Sequence, residues 1–270
     1  MNAKTDLTGA TDTLKVETLE GGIVVVTLNR PDVANAINTQ MGSELEAIFN
    51  GFSTSPKPPR AIVLTAAGER HFCSGGDLKE RNGMTDDAFL AQHAIYERAF
   101  MAIMECPIPV IAAINGVAFA GGCELALSCD FIFAASHARF ALTETSIGIM
   151  PGCGGTQNLP RAVGLRRAKQ ILLSALPFSV EDAERWGMVN EICEPAQLMP
   201  RAITIAERIA GNAPLAVRQA KKSMHHGSRM DSRTALFFEV ETYNRLVSTE
   251  DRMEGIAAFN EKRKPRFTGR

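Results

Sequence analysis

A chain of 270 residues, 45% hydrophobic and 22% charged, has the composition of a soluble globular protein and the length to bury a sizeable core. Its net charge of -1 excludes a global pull toward nucleic acid or anionic membrane, so any polyanion site has to be local. The six cysteines are scattered without a C-x-x-C pair, which argues against a disulfide framework and for free thiols in a reducing compartment.

The opening stretch, MNAKTDLTGATDTLKVE, has no apolar core and no arginine before Arg30. Neither a secretory signal nor an arginine-rich transit peptide fits, and a cytoplasmic protein is expected. IVVVTL (Ile23 to Leu28) then predicts a buried strand, Thr39 to Phe52 a helix, and AIVLT (Ala61 to Thr65) a second strand. A long helix is expected over Asp86 to Cys106, opening on the N-terminal signals Thr85, Asp86 and Asp87. VIAAI (Val110 to Ile114) and FIFAA (Phe131 to Ala135) read as further strands. The most membrane-like segment, Val110 to Leu127, contains Asn115, three glycines and Glu124, so it reads as strand, turn and helix start, not as a span.

Strands alternating with helices argue for an α/β architecture with both sheet faces covered. After about residue 195 the strand signal ends, and Pro200 to Gly211, Pro214 to His225, Asp231 to Val247 and Thr249 to Lys262 all read as helices. The division expected is therefore an α/β core over 1–199 and a helical region over 200–270. The apolar stripe Leu236, Phe237, Val240, Tyr243 and Leu246 is expected to pack on the core or on another subunit, the core being the commoner fate.

Three glycine-bearing turns follow strand-like runs: FCSGGDLKE (Phe72 to Glu80), AFAGGCELA (Ala118 to Ala126) and PGCGGTQNLPR (Pro151 to Arg161). They are either tight connections or places where backbone comes close to a ligand. In the first two a helix is expected just past the glycines, so unpaired N–H groups from separate turns would make an oxyanion hole. Glu124 sits in the second turn, where an acid is also a favourable partner for a helix dipole. Glu144, in FALTETSIGIMPG, again follows a strand-like run. Two carboxylates brought to one cleft beside such a hole suit acid/base work on a carbonyl compound with developing enolate charge.

Other chemistries fit less well. No G-K-[ST] follows any glycine run, the third turn lacks the last glycine of a dinucleotide fingerprint, and no G-x-S-x-G or H-E-x-x-H is present. The adjacent pair His225 and His226 is expected to face solvent, and Asp77 to cap a helix.

The order and spacing of these pieces, from NRPDVANAIN (Asn29 to Asn38) through the three turns to EGIAAFNEKRKPRF (Glu254 to Phe267), resemble the enoyl-CoA hydratase/isomerase (crotonase) superfamily over nearly the whole chain. Both glutamates match hydratase positions, and GGDLKERNGM (Gly75 to Met84) is similar to the 3-methylglutaconyl-CoA hydratase branch, some members of which bind AU-rich RNA.

The resemblance implies a spiral of ββα units with a helical C-terminal region, assembled as a homotrimer or a dimer of trimers. It implies that the Gly76 and Gly121 N–H groups hold a thioester oxygen while Glu124 and Glu144 share activation of water and delivery of a proton to Cα. Ala34, Asn35 and Ala36 would lie near coenzyme A, with Ser74 and Asp77 as further contacts and Lys262 of an adjacent subunit near a phosphate. Coenzyme A is then part of the substrate, and no metal or separate cofactor is expected.

Two departures bear on the substrate: Gly76 stands where alanine is common, and Ala118-Phe119-Ala120 replaces a more usual Ala-Leu-Gly, which bears on acyl length. A carboxylated acyl chain would need a cation, and Lys79 and Arg81 are the nearest in sequence. Isomerisation is the alternative enzyme reading. RNA binding through Lys262, Arg263, Lys264, Arg266 and Arg270 is a minor one, disfavoured by the balanced net charge.

Overall fold

A computed structural model describes residues 11–270. Much of the stretch behind the reading of a leaderless N-terminus lies outside the described residues. The strands are β1 (Leu14–Leu19), β2 (Ile23–Leu28), β3 (Ala61–Ala66), β4 (His71–Cys73), β5 (Val110–Ile114), β6 (Val117–Phe119), β7 (Phe131–Ala135), β8 (Arg139–Ala141), β9 (Phe178–Ser179) and β10 (Glu191–Cys193). The helices are α1 (Thr39–Thr54), α2 (Leu78–Arg81), α3 (Asp86–Met104), α4 (Gly121–Leu127), α5 (Gly155–Val163) and α6 (Leu165–Ser174). They continue with α7 (Val180–Arg185), α8 (Pro195–Ala210), α9 (Pro214–Gly227), α10 (Ser232–Val247) and α11 (Glu250–Asn260).

The larger sheet runs β1-β2-β3-β5-β7-β10, antiparallel only at its β1-β2 edge. Its inner strands are continuous apolar runs because both faces are covered. Alternate residues go to opposite sides: Val24, Val26, Ile62, Leu64, Val110 and Ala112 enter the main core, and Ile23, Val25, Val63, Ile111 and Phe133 a second one. The second core is closed by Leu198, Ala202, Ala206 and Ala210 of α8. A division at 199/200 thus runs through α8, which belongs with the sheet; the helical region proper starts at α9.

The smaller sheet, β4-β6-β8-β9, is parallel over its first three strands. The carboxyl ends of β4, β6 and β8 lie side by side, where parallel α/β sheets place their ligands. Helix entry is fixed locally: the side chains of Asn38, Thr85, Asp231 and Thr249 accept hydrogen bonds from the first-turn amides of α1, α3, α10 and α11.

Helix α9 is tied to the core by Lys221, whose Nζ donates to Asp130 Oδ2 (2.7 Å) and to the Ile108 carbonyl (2.9 Å). Helices α10 and α11 leave apolar side chains in solvent: Leu236, Phe237, Val240, Tyr243, Met253, Ile256 and Phe259 are all more than half exposed. The stripe on α10 therefore does not pack on this chain's core, which corrects the commoner expectation. All six cysteines are free, and five are buried. Among the described residues no helix is long and apolar enough to cross a membrane.

Candidate active site

The first glycine turn leaves β4 and the second leaves β6, and the two are pressed together. Gly75 has φ +99°, and a Cβ there would lie 2.8 Å from Ala120 Cβ; a Cβ on Gly122 would lie 2.1 Å from the Cys73 carbonyl oxygen. Only glycine allows this approach. Ala120 carries the strain of the second turn at φ 48°, ψ -124°, outside the ordinary regions for a residue with a Cβ, and its N–H is pinned to the Ala141 carbonyl at 2.8 Å. The turn delivers Gly121 as the first residue of α4, where no intrahelical acceptor exists for its N–H. Among the described residues neither the Gly76 nor the Gly121 N–H donates to a backbone acceptor outside regular elements. A Cβ built on Gly121 would lie 3.6 Å from Gly76 N, so the two donors are neighbours.

Both donors line a cavity of about 440 Å3 that also receives Glu124 and Glu144. Glu124, in the first turn of α4 and 3% exposed, is held by the third glycine turn: its Oε1 accepts from Cys153 N and Gly155 N, each at 2.8 Å. Burial raises its pKa against the pull of these two amides. Glu144 follows β8 at the head of a single turn of 3-10 helix, and it is 6% exposed. Neither of its carboxyl oxygens has a hydrogen-bond partner among the described residues. Burial, with a smaller contribution from the Glu124 charge, pushes its pKa up to about 7. The two carboxyls thus share one cavity in different states of restraint. The walls are apolar, with Ile37, Phe89, Tyr96 and Phe100 inside and Ile147, Ile149 and Met150 at the exposed rim.

The remaining expected contacts divide. Ser74 lines the cavity, and the 34–36 turn docks on the first glycine turn, Ser74 N donating to the Ala34 carbonyl (3.1 Å) and Ile37 N to the Gly75 carbonyl (2.8 Å). The side chain of Asn35 is spent elsewhere. It is fully buried, accepting from Arg30 N (2.9 Å) and donating to the Ala67 and His71 carbonyls (both 3.0 Å). Ala36 is buried too, and Asp77 caps α2 through Lys79 N and Glu80 N while pairing with Arg30 at 3.0 Å. Neither Asn35, Ala36 nor Asp77 lines the cavity; Ile37 is the residue of that segment that reaches it. Lys262 is exposed and also outside the cavity of its own chain. Arg81 lines the cavity and Lys79, exposed, does not.

Two side expectations change. The histidine pair is half-buried and meets Glu105, with His225 Nε2 3.4 Å from Oε1 and His226 Nε2 3.8 Å from Oε2. The C-terminal basic cluster is partly neutralised, since Arg263 pairs with Glu254 and Glu261, and Arg270 with Glu250. The amides of Cys153 and Gly155 were not expected as site groups, because backbone donors leave no side-chain signature; the run of glycines was the only hint.

Two free amides and two buried acids in one cavity are an arrangement that can bind a carbonyl oxygen and move protons beside it. Residues 18–270 match the family described as enoyl-CoA hydratase/isomerase, and the chain belongs to it. It is 41% identical over 245 residues to a short-chain-enoyl-CoA hydratase of Clostridium acetobutylicum, covering 91% of this chain and 94% of that one. It is 37% identical over 265 residues to the mitochondrial methylglutaconyl-CoA hydratase of Mus musculus, covering 96% and 84%. The crystal structure of an enoyl-CoA hydratase from Bacillus anthracis, 40% identical, superposes with a TM-score of 0.93 over 96% of this chain and all of the other. The crotonase resemblance and the expected spiral fold with its helical C-terminal region are borne out.

Proposed function

We propose that the chain is a lyase that adds water reversibly, and on one face, across the C2=C3 bond of a 2-enoyl-CoA thioester. The observation that carries this reading is the pair of buried carboxyls, Glu124 and Glu144, in one cavity with two free amide donors. The names of the hydratase relatives support it.

In the hydration direction the thioester oxygen accepts from Gly76 N–H and Gly121 N–H, whose fixed dipoles favour the charge that develops on it. Glu124, ionised and steadied by the Cys153 and Gly155 amides, takes a proton from water as the oxygen bonds to C3. The π pair moves onto the thioester as an enolate. Glu144, held protonated into the neutral range by its burial, gives its proton to C2, and the carbonyl re-forms. The pair ends with its single proton on the other member, so atoms and charge balance and no external oxidant or metal is called for. Isomerisation needs one base that moves a proton between carbons; a second acid is surplus to it.

Coenzyme A would lie along Ser74 and the 34–36 turn. The exposed apolar side chains of α10 and α11 would seat further copies of the chain, a trimer or two, which brings Lys262 to a neighbour's phosphate. Introducing Asp at both Leu236 and Val240 is expected to yield smaller species on size-exclusion chromatography. The hydratase reading is tested by the loss of enoyl absorbance with a panel of short, long, branched and carboxylated 2-enoyl-CoA esters; no loss with any of them would overturn it.

A further inference from the structure

Glu105, His225 and His226 meet where the end of α3 crosses the last turn of α9, and the hydratase reading uses none of them. Glu105 directly follows α3, its N–H donating to the Met101 carbonyl at 2.9 Å, and the two histidines immediately precede Gly227, the last residue of α9. All three line a cavity of about 370 Å3 that shares no lining residue with the one holding Glu124 and Glu144. Adjacent positions on a helix diverge by about 100°. Here both rings nonetheless turn to one carboxylate: His225 Nε2 is 3.4 Å from Oε1 and His226 Nε2 3.8 Å from Oε2. One ligating atom from each of the three residues lies within 4.8 Å of the other two. The rings are also steadied edge to face, His226 with its centroid 5.1 Å from that of His225 and 6.1 Å from that of Phe238 on α10.

A hydrogen bond to Glu105 would use one imidazole, and the second is surplus to it. Two imidazole nitrogens and one carboxylate oxygen are instead a donor set for a borderline cation such as zinc, whereas magnesium and calcium select oxygen alone. Zinc ligands about 2.0 to 2.2 Å from the metal in tetrahedral array lie roughly 3.3 Å apart, so the 3.4 Å between His225 and Glu105 already fits, and His226 has to close by only about half an ångström. The neighbouring cations are mostly engaged elsewhere. Lys221 is spent on Asp130 and the Ile108 carbonyl, and Lys222 Nζ lies 5.8 Å from the Phe238 ring centroid. Arg229, 4.0 Å from Glu105 Oε1, is the direct competitor for the carboxylate, at the outer limit of an ion pair. We propose that Glu105, His225 and His226 form a binding site for one divalent transition cation of the zinc type, with a fourth coordination position left for solvent. The bound ion clips α9 to the end of α3, the helix that carries Tyr96 and Phe100 into the active cavity.

The test is calorimetric titration of zinc chloride into the full-length protein after treatment with a chelator. One site per chain is expected, with magnesium chloride giving no heat. His225→Ala, His226→Ala and Glu105→Gln should each weaken zinc binding by about 10-fold or more, at least what loss of an outer-shell partner costs. Arg229→Gln should tighten it about threefold, because a competing positive charge is removed. Thermal scans give a second readout: saturating zinc is expected to raise the wild-type Tm by about 3 °C or more and to leave that of His226→Ala unmoved. Should either alanine variant fail to fold by circular dichroism, Glu105→Gln, which keeps the side chain's shape, carries the test. An absence of zinc binding in the wild type, or smaller losses than these in the variants, overturns the site; in the second case the metal sits elsewhere, as on the free thiols. Because no residue is shared with the active cavity, failure of the hydratase reading would leave this result standing.

Discussion

The surroundings of Glu124 and Glu144 differ in a way that suits them to different parts of the proposed reaction. Glu124 grows from a helix and is clamped by two amides of a separate loop, whereas Glu144 follows a strand end and has no partner for either oxygen. Both are buried, so both pay for charge, but only one is compensated. Burial raises both carboxyls, and for Glu124 the two loop amides oppose that rise.

The strongest way to break this contrast is to remove the exchangeable proton. Glu124→Gln and Glu144→Gln keep shape but cannot pass a proton, and each is expected to lower kcat by about 10²- to 10⁴-fold with thioester binding within a few-fold. Near-normal turnover in either variant would strip that residue of its role.

The pH profile sharpens the same point. On the proposed mechanism the working pair carries one proton, held by Glu144 at the start of hydration. Because Glu144 is raised to about 7, kcat/KM should fall about tenfold per pH unit above that region as the pair loses its proton. It should fall on the acid side as Glu124 gains one. Hydration takes up no net proton, so the dehydration profile must have the same bell; a flat alkaline side up to pH 10 would contradict the assignment.

A smaller effect is expected from disturbing the clamp alone. In Gly155→Ala the new methyl would lie 3.0 Å from Glu124 Oε1 and 2.8 Å from Pro151 Cβ, so the carboxylate has to shift. A loss of about 10- to 100-fold in kcat, with KM little changed, is expected from such a misplacement. Unchanged kcat would mean the clamp is only structural.

The smallest effect is on stability. A carboxyl whose folded pKa is raised stabilises the fold fully below its ordinary value of 4.5, and that contribution is lost as pH rises through about 7. Glu144→Gln never ionises, so at pH 8 its Tm should exceed the wild type's by about 2 to 4 °C, with the gap closing at pH 4. Glu124 is raised as well, but two amides offset part of its burial, so Glu124→Gln should show a smaller gain. Thermal scans at the two pH values decide it.

Much of this was readable from residue order. β2, β5 and β7 begin and end where their apolar runs do, and β3 extends one residue further, because a strand covered on both faces has no polar position to blur its ends. The capping side chains of Thr85, Asp231 and Thr249 marked helix starts by local hydrogen bonding alone. The three-residue strands β4, β6 and β8 are too short to carry a period, and they are the strands that bring the turns and acids together. The choice between Lys79 and Arg81 was likewise closed to sequence, since it rests on which side of the four-residue α2 faces Gln92 and Phe89. The fate of the α10 stripe depended on what this chain leaves uncovered, which periodicity does not encode.

The buried thiols give the molecule an internal clock. Cys73 underlies the first glycine turn, Cys123 sits in α4 beside Glu124, and Cys153 donates its amide to that glutamate's carboxylate. Burial keeps all three protonated, Cys73 up to about 12, so an alkylating reagent meets no thiolate while the structure is closed. The rate at which each is labelled therefore counts how often the structure around it opens, and slower labelling with a bound thioester would report which of the three surroundings the ligand steadies.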